Sequence, residues 1–308
     1  MLPQAEDSAL WQPNRGLSKW SENLIKAVFG TFALVSVATT VGIVLTLIFE
    51  TVEFFQQVSF FQFLTDTEWT PLFADQNFGI FVLITATFMT AAIASLVALP
   101  FGLLSAIFLS EYASPKLRKW VKPALEILAG IPTVVYGFFA LLFVTPLLQS
   151  FIPGLQTFNA LSAGLVMGFA IIPLVASLSE DAIYAVPQTL RNGSYAMGAT
   201  KRETVIGVVL PAALSGIVAS FVLAVSRAVG ETMIVAIAAG QSPTLTLDPR
   251  VPVATMTAFI VQVSLGDTPT TSLAYKTLFA VGMTLFLITL VLNMFSYWFV
   301  RKFQQKYE

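Results

Sequence analysis

The 308-residue sequence contains no cysteine and no histidine, and only 11% of its residues are charged. The lack of cysteine excludes a disulfide framework and thiolate metal sites. The lack of histidine removes the commonest metal ligand, the commonest general base and the usual pH switch. These absences argue against a membrane metalloprotease, a haem protein and a histidine proton relay. We therefore expect no metal site and no catalytic residues, and predict that the chain is not an enzyme.

The low charge has a second consequence, because soluble domains carry about a quarter charged residues. Here 56% of the residues are hydrophobic, so the chain cannot build a water-facing surface over its whole length. A membrane-spanning helix needs about 20 apolar residues. Six stretches meet that requirement, at 24–49, 78–109, 124–148, 155–178, 212–239 and 276–300. The sequence predicts an all-α polytopic membrane protein with six transmembrane helices.

The basic residues indicate how these helices are oriented, since cytoplasmic loops carry an excess of Lys and Arg. With six spans, one side of the membrane holds Arg15, Lys19, Lys26, Lys116, Arg118, Lys119, Lys122, Arg191, Lys201, Arg202, Arg301, Lys302 and Lys306. The other side holds only Arg250 and Lys276, and its first loop is acidic. Both termini are therefore predicted to be cytoplasmic.

This topology divides the chain into five parts. They are a cytoplasmic tail at 1–23, a first transmembrane helix at 24–49, an external acidic loop at 50–77, a core at 78–300 and a cytoplasmic tail at 301–308. Within the core, 179–211 is a long cytoplasmic loop and 241–275 is an external segment with a short apolar stretch. That segment is either a docking surface for an external protein or a helix that closes the outer mouth.

Three spans contain a proline that is expected to interrupt the helix: Pro100, Pro132 and Pro173. Proline removes a backbone donor and kinks a helix. Such breaks persist in a membrane where a cavity or a neighbouring helix satisfies the freed carbonyls. Three of them in neighbouring spans favour a lined pathway, and ordinary kinking is the alternative.

The cytoplasmic loop is expected to form two short helices that meet near Gly198, the second running from Lys201 to Leu210 and ending at Pro211. The loop resembles the "EAA" coupling loop of ABC importer permeases, and the residues concerned are Arg191, Asn192, Gly193, Ser194, Gly198, Ala199, Leu210 and Pro211. Asn192 departs from the pattern, which usually has Glu there. The resemblance implies contact with a cytoplasmic ATPase. A cytoplasmic helical hairpin without a partner is the alternative.

Other motifs narrow the resemblance to phosphate importer permeases. They are Leu109-Ser110-Glu111-Tyr112-Ala113, the stretch 125–139 with Gly130-Ile131-Pro132, and Arg227-Ala228-Val229-Gly230-Glu231-Thr232. The acidic loop with Trp69-Thr70-Pro71 resembles the PstC type of subunit more than the PstA type.

That resemblance implies a type I ABC importer permease fold in a bacterial plasma membrane. It also implies a PstA-type second permease, two PstB-type ATPase subunits and an external PstS-type phosphate-binding protein. The partners would use ATP, because this chain has no P-loop motif. The chain itself is expected to bind no cofactor and no nucleic acid.

Arg227 and Glu231 stand out on physical grounds as well, because a charge inside an apolar helix is costly. They are predicted to lie half way along the fifth span, on one helix face, and to pair with each other. An arginine fork suits a tetrahedral oxyanion. We therefore assign Arg227, Gly230, Glu231 and Thr232 to a substrate pathway. A purely structural ion pair is the alternative.

Two rival functions remain open at this point. A permease for another oxyanion, such as sulfate or molybdate, would share the coupling loop. An anion transporter or channel that works without an ATPase would leave the spacing from Gly198 to Pro211 unexplained. Two further carboxylates are assigned only local roles. Glu126 is expected at the membrane interface, with packing against the coupling loop as the alternative, and Glu111 is expected in solvent or paired with a loop.

Overall fold

The computed structural model describes residues 15–303, and its regular structure there is helical apart from one isolated bridge between Trp69 and Phe78. The α-helices are α1 Arg15–Phe55, α2 Phe60–Thr65, α3 Phe81–Ile107, α4 Pro115–Ala129, α5 Thr133–Phe139, α6 Thr145–Gln149, α7 Ala160–Tyr184, α8 Gln188–Ala196, α9 Lys201–Thr204, α10 Leu210–Val229, α11 Met233–Ala238, α12 Met256–Leu265 and α13 Leu273–Phe303. Three π-helical turns join some of them, at Phe108–Tyr112, Ala140–Val144 and Val205–Val209.

The prediction of a polytopic helical membrane protein is confirmed. Five helical runs are long and apolar enough to cross a membrane, at Lys19–Phe55, Phe81–Tyr112, Ala160–Tyr184, Lys201–Val229 and Leu273–Lys302. The pair Pro115–Ala129 and Thr133–Gln149 makes a sixth if it is counted as one span bent by 85°. Residues 15–50 form one unbroken stretch of helix, and a separate compact unit begins at Thr51. Most of the two predicted tails, 1–23 and 301–308, lies outside the described residues.

The predicted third span, 124–148, is the bent pair Pro115–Ala129 and Thr133–Gln149, and the fourth and fifth spans also differ from the helices that form. The fourth begins at Ala160 rather than 155, because the Asn159 side chain caps it by accepting a hydrogen bond from the Ser162 N–H at 2.7 Å. It also continues to Tyr184, so the loop that follows is shorter than 179–211. The fifth ends at Val229 rather than 239, and α11 follows as a separate short helix.

The three prolines do not behave alike. Pro132 precedes α5 at the 85° bend, so it marks a true break. Pro100 lies inside α3 and Pro173 inside α7, and both helices continue through them. The expectation of helix breaks at Pro100 and Pro173 is therefore wrong. Each proline costs one backbone hydrogen bond, and the helix persists because its side chains pack along its length.

The core is centred on α7, most of whose residues are buried. Its two glycines Gly164 and Gly168 form a G-x-x-x-G motif that faces α3. A methyl group added at Gly164 would lie 2.8 Å from the Ile93 side chain, and one at Gly168 would lie 2.8 Å from the Ala94 carbonyl oxygen. Small residues therefore let the two backbones approach closely, as is common between membrane helices.

We expect Gly168→Ala to destabilise the protein by about 1–3 kcal/mol, because the added methyl group meets backbone that cannot rotate away. The measurement is the thermal unfolding midpoint of the purified protein in detergent. Gly207→Ala is the matched control, since a methyl group there meets no atom within 4 Å. Equal unfolding midpoints for the two variants would show that the close approach of α3 and α7 at Gly168 does not limit side-chain size there.

Candidate functional site

The run from Arg227 to Thr232 forms a turn between two helices. Gly230 closes α10, donating its N–H to the Ser226 carbonyl at 3.1 Å, and the Glu231 N–H donates to the Ala228 carbonyl at 3.3 Å. The next helix, α11, starts at Met233. The segment is thus a helix break.

The expectation that Arg227 and Glu231 share one helix face and pair is wrong. Arg227 lies in the last turn of α10, and no carboxylate of the described residues lies within ion-pair distance of it. The Glu231 carboxylate instead accepts a hydrogen bond from the Ile234 N–H at 3.4 Å, and its carbonyl accepts one from the Thr257 hydroxyl at 2.7 Å. The first bond ties Glu231 to the start of α11 and the second ties it to α12, and α10 ends before it at Val229.

Arg227 is exposed on the surface of this chain and its charge is left uncompensated by a carboxylate within residues 15–303. The carbonyls at the end of α10 carry partial negative charge and stabilise it. It also interacts electrostatically with Tyr136 of α5. Beside it Gly230 is exposed, and the Thr232 hydroxyl donates to the Gly230 carbonyl at 3.3 Å. Arg227 and Gly230 are thus both exposed at the end of α10.

The predicted coupling loop does form two short helices, α8 and α9, that meet at Gly198. Gly198 has a φ of 85°, the left-handed conformation that glycine adopts readily. A capping box closes the start of α9, where Thr200 and Glu203 bond each other's backbone. Ser194 and Thr204 join the two helices through a hydroxyl bond of 2.9 Å.

The outer surface of this loop is formed by Asn192, Gly193 and the turn around Gly198, while Ala199 and Ser194 are half-buried. Met197 is 88% exposed at its tip.

The predicted end of the second helix at Pro211 is wrong. The helical run passes through α9, the π-helical turn Val205–Val209 and α10, in which Leu210 and Pro211 occupy the first turn. Proline is tolerated there because the wider π-helical turn changes the hydrogen-bonding register just before its ring. The coupling loop is therefore joined rigidly to the fifth span.

Arg191 is buried, although its position in the predicted loop suggests an exposed side chain. Its side chain and that of Glu111 are each only 7% exposed, and they pair at 2.9 Å. Arg191 also donates to the carbonyls of Ile183, at 2.9 Å, and Val186 at the end of α7. Arg191 thus ties α8 to the ends of α3 and α7 and does not face outward. Glu111 lies in the π-helical turn Phe108–Tyr112 and pairs through Arg191 with the predicted loop 179–211, and pairing with a loop was one of its two expected roles.

A second ion cluster was not predicted from the sequence. Glu180 of α7 is 1% exposed and accepts hydrogen bonds from Arg118 and, at 2.7 Å, from Lys122 of α4. Lys122 also pairs with Asp181 at 2.8 Å, and the Arg118 guanidinium lies over the Tyr184 ring. The sequence feature that could have predicted this cluster is the spacing of four between Arg118 and Lys122, which places both cations on one helix face.

The external segment contains the predicted short helix, α12, whose Phe259 ring packs against the buried Trp69 ring at 5.1 Å. Upstream, a hydrogen bond from the Arg250 side chain lowers the pKa of Asp248 to about 2. Asp248 therefore stays ionised at neutral pH and keeps the Asp248–Arg250 turn in place. Whether this segment binds a partner stays a prediction.

Within residues 15–303 no group of three or more acidic, histidine or cysteine side chains is arranged to hold a metal ion.

Comparisons with known proteins agree with this geometry. Residues 98–308 match the family model described as "Binding-protein-dependent transport system inner membrane component". The chain is 33% identical over 259 residues to the probable ABC transporter permease protein YqgH of Bacillus subtilis, covering 83% of this chain and 84% of that one. It is 32% identical over 308 residues to the phosphate transport system permease protein PstC of Haemophilus influenzae, covering 93% and 95%.

Among solved structures, the chain resembles one from a bacterial ABC transporter involved in the import of the acidic polysaccharide alginate. The TM-score is 0.66 at 15% identity, covering 94% of this chain and 100% of that one. At this identity the likeness shows the fold, which is that of a type I ABC importer permease.

Proposed function

The chain belongs to the family of binding-protein-dependent transport system inner membrane components, and we propose that it is the PstC-type permease subunit of an ATP-driven phosphate importer. It forms half of the translocation pathway in a bacterial plasma membrane, with both termini in the cytoplasm. The observation that carries the substrate assignment is Arg227, a guanidinium without a carboxylate partner in the described part of the chain, beside a helix break.

Phosphate recognition follows from the chemistry of that group. The guanidinium offers parallel N–H donors that match phosphate oxygens, and it keeps its charge at every physiological pH. Arg227 and Gly230 are both exposed, so an anion can approach the α10 end. The Glu231 carboxylate is held at the start of α11 by the Ile234 N–H. From there it lowers the positive electrostatic potential near Arg227 without occupying the N–H donors of the guanidinium.

The pathway needs a second wall, because Arg227 and Gly230 lie on the surface of this chain. A PstA-type permease provides that wall. Two PstB-type ATPase subunits bind ATP and dock on the exposed tip around Met197 and Gly198. A PstS-type binding protein delivers phosphate to the external segment and the acidic first loop.

Coupling between ATPase and pathway follows the rigid connections of the loop. Movement at the tip passes through α9 and the π-helical turn into α10, which ends at Arg227 and the two residues after it. The Arg191–Glu111 pair carries the same movement to α3. ATP-driven closure of the partners thus shifts the helices that carry the pathway residues.

The test is uptake of labelled phosphate by cells that express this chain with its PstA-, PstB- and PstS-type partners and lack other phosphate importers. We expect ATP-dependent uptake that excess unlabelled phosphate abolishes and excess sulfate leaves intact. Competition by sulfate or molybdate would instead indicate a permease for another oxyanion. Uptake that persists without the ATPase would indicate an independent transporter or channel.

A further inference from the structure

A cavity of about 680 Å³ lies beside α4, between that helix, the end of α3 and Tyr184. The transport mechanism proposed above assigns no role to this cavity. Its lining brings together charged and polar side chains of two signs: Ser110, Arg118, Lys119, Lys122, Glu126 and Tyr184.

Most of the positive charge in this lining is already compensated. Arg118 pairs with the buried Glu180, and Lys122 pairs with both Glu180 and Asp181. Lys119 and Glu126 form no ion pair within the described residues, and both are exposed. The cavity therefore offers one uncompensated cation and one uncompensated carboxylate. They stand two turns apart on α4, about 10 Å along the helix axis.

A buried polar atom also points to a ligand. The Ser110 hydroxyl oxygen is buried and has no hydrogen-bond partner in the part of the chain that the structure describes. Ser110 lines the same cavity as Lys119 and Glu126. A buried hydroxyl without a partner is unfavourable, so an acceptor in the cavity would stabilise this site.

The outer face of α4 shows what surrounds the cavity. Trp120 is 80% exposed, and Leu117, Ile127 and Leu128 are exposed as well. The helix is amphipathic and turns by 85° from α5. A helix with basic and aromatic residues at the end of a membrane span lies in the headgroup layer. The cavity behind it therefore opens among lipid headgroups.

We propose that this cavity binds the headgroup of phosphatidylethanolamine, a zwitterionic phospholipid. Its phosphate accepts hydrogen bonds from Lys119 and Ser110, and its primary ammonium donates to Glu126. An anionic lipid such as phosphatidylglycerol fits less well because Glu126 repels it. Phosphatidylcholine also fits less well, because its quaternary ammonium has no N–H to donate to a carboxylate.

The test is native mass spectrometry of the full chain assembled with its partner subunits and given equal amounts of the three lipids. We expect phosphatidylethanolamine to be retained most. Loss of one charge-assisted contact is expected to lower its affinity about tenfold in either Lys119→Gln or Glu126→Gln. The two variants differ for phosphatidylglycerol, whose retention rises in Glu126→Gln and falls in Lys119→Gln.

Lys116→Gln is the matched control, because Lys116 is a cation of α4 outside the cavity lining and its replacement should leave all three lipids unaffected. Equal retention of the three lipids, no retention at all, or no response to either variant would overturn the proposal. Inorganic phosphate at millimolar concentration should not displace the lipid. Displacement would reassign the cavity to free phosphate and would also overturn it.

Discussion

Replacing Arg227 by Gln is expected to lower phosphate uptake by at least about a hundredfold, because two charge-assisted hydrogen bonds to the anion are lost. A lysine at this position would keep the charge but not the parallel donors, so Arg227→Lys is also expected to fail. Assembly with the partner subunits should be intact, since Arg227 makes no ion pair within the described residues. The measurements are uptake of labelled phosphate and co-purification of the complex.

The control is Lys26→Gln, which removes an exposed cation of α1 that pairs with the exposed Glu22 and lies outside the residues assigned to the pathway, the loop and the external segment. Its uptake should stay near that of the unmodified protein. Normal uptake in Arg227→Gln would remove the basis for placing phosphate at the α10 end. Loss of assembly in Arg227→Gln would instead indicate that Arg227 is an interface residue.

Arg191→Leu is expected to produce the largest loss of stability in the chain, about 3–5 kcal/mol. The change leaves Glu111 as a buried carboxylate without its partner and frees the carbonyls of Ile183 and Val186. We expect a low yield of folded permease, and in any folded fraction ATP hydrolysis that no longer drives uptake. The thermal unfolding midpoint and the ratio of phosphate transported to ATP hydrolysed measure the two effects.

Two comparisons isolate the ion pair. Arg202→Leu removes an exposed arginine of the same loop and should have little effect on the midpoint. The double variant Arg191→Met with Glu111→Leu should recover part of the loss, because no buried charge is left alone. A midpoint unchanged in Arg191→Leu would show that the pair does not hold α8 to α3.

The apolar helices and the two short helices of the cytoplasmic loop could be predicted because they depend on local signals. Apolar length predicts spans, and the conformational freedom of Gly198 predicts the turn between α8 and α9. Burial of Arg191 could not be predicted in the same way. Its partner Glu111 is 80 residues away in the chain, and only the packed helices bring the two together.

The fifth span shows why helix ends are harder to predict. Hydropathy continues past Val229, so apolar length alone extends the helix to 239. The break coincides with two hydrogen bonds to Glu231, one from the Thr257 hydroxyl to its carbonyl and one from the Ile234 N–H to its carboxylate. The close α3–α7 contact, by contrast, does have a local sequence signal, the G-x-x-x-G pair Gly164 and Gly168. A hydropathy profile does not detect this pair.

The bend at Pro132 has a consequence for the thickness of the barrier. The straight part of that bent span, Thr133–Gln149, rises about 25 Å, whereas the hydrocarbon layer is about 30 Å thick. A helix shorter than the layer thins the bilayer or draws water to its ends. The low-dielectric distance beside α5 is therefore shortened, so an anion that crosses beside this helix would shed less of its hydration than a full-length span would require.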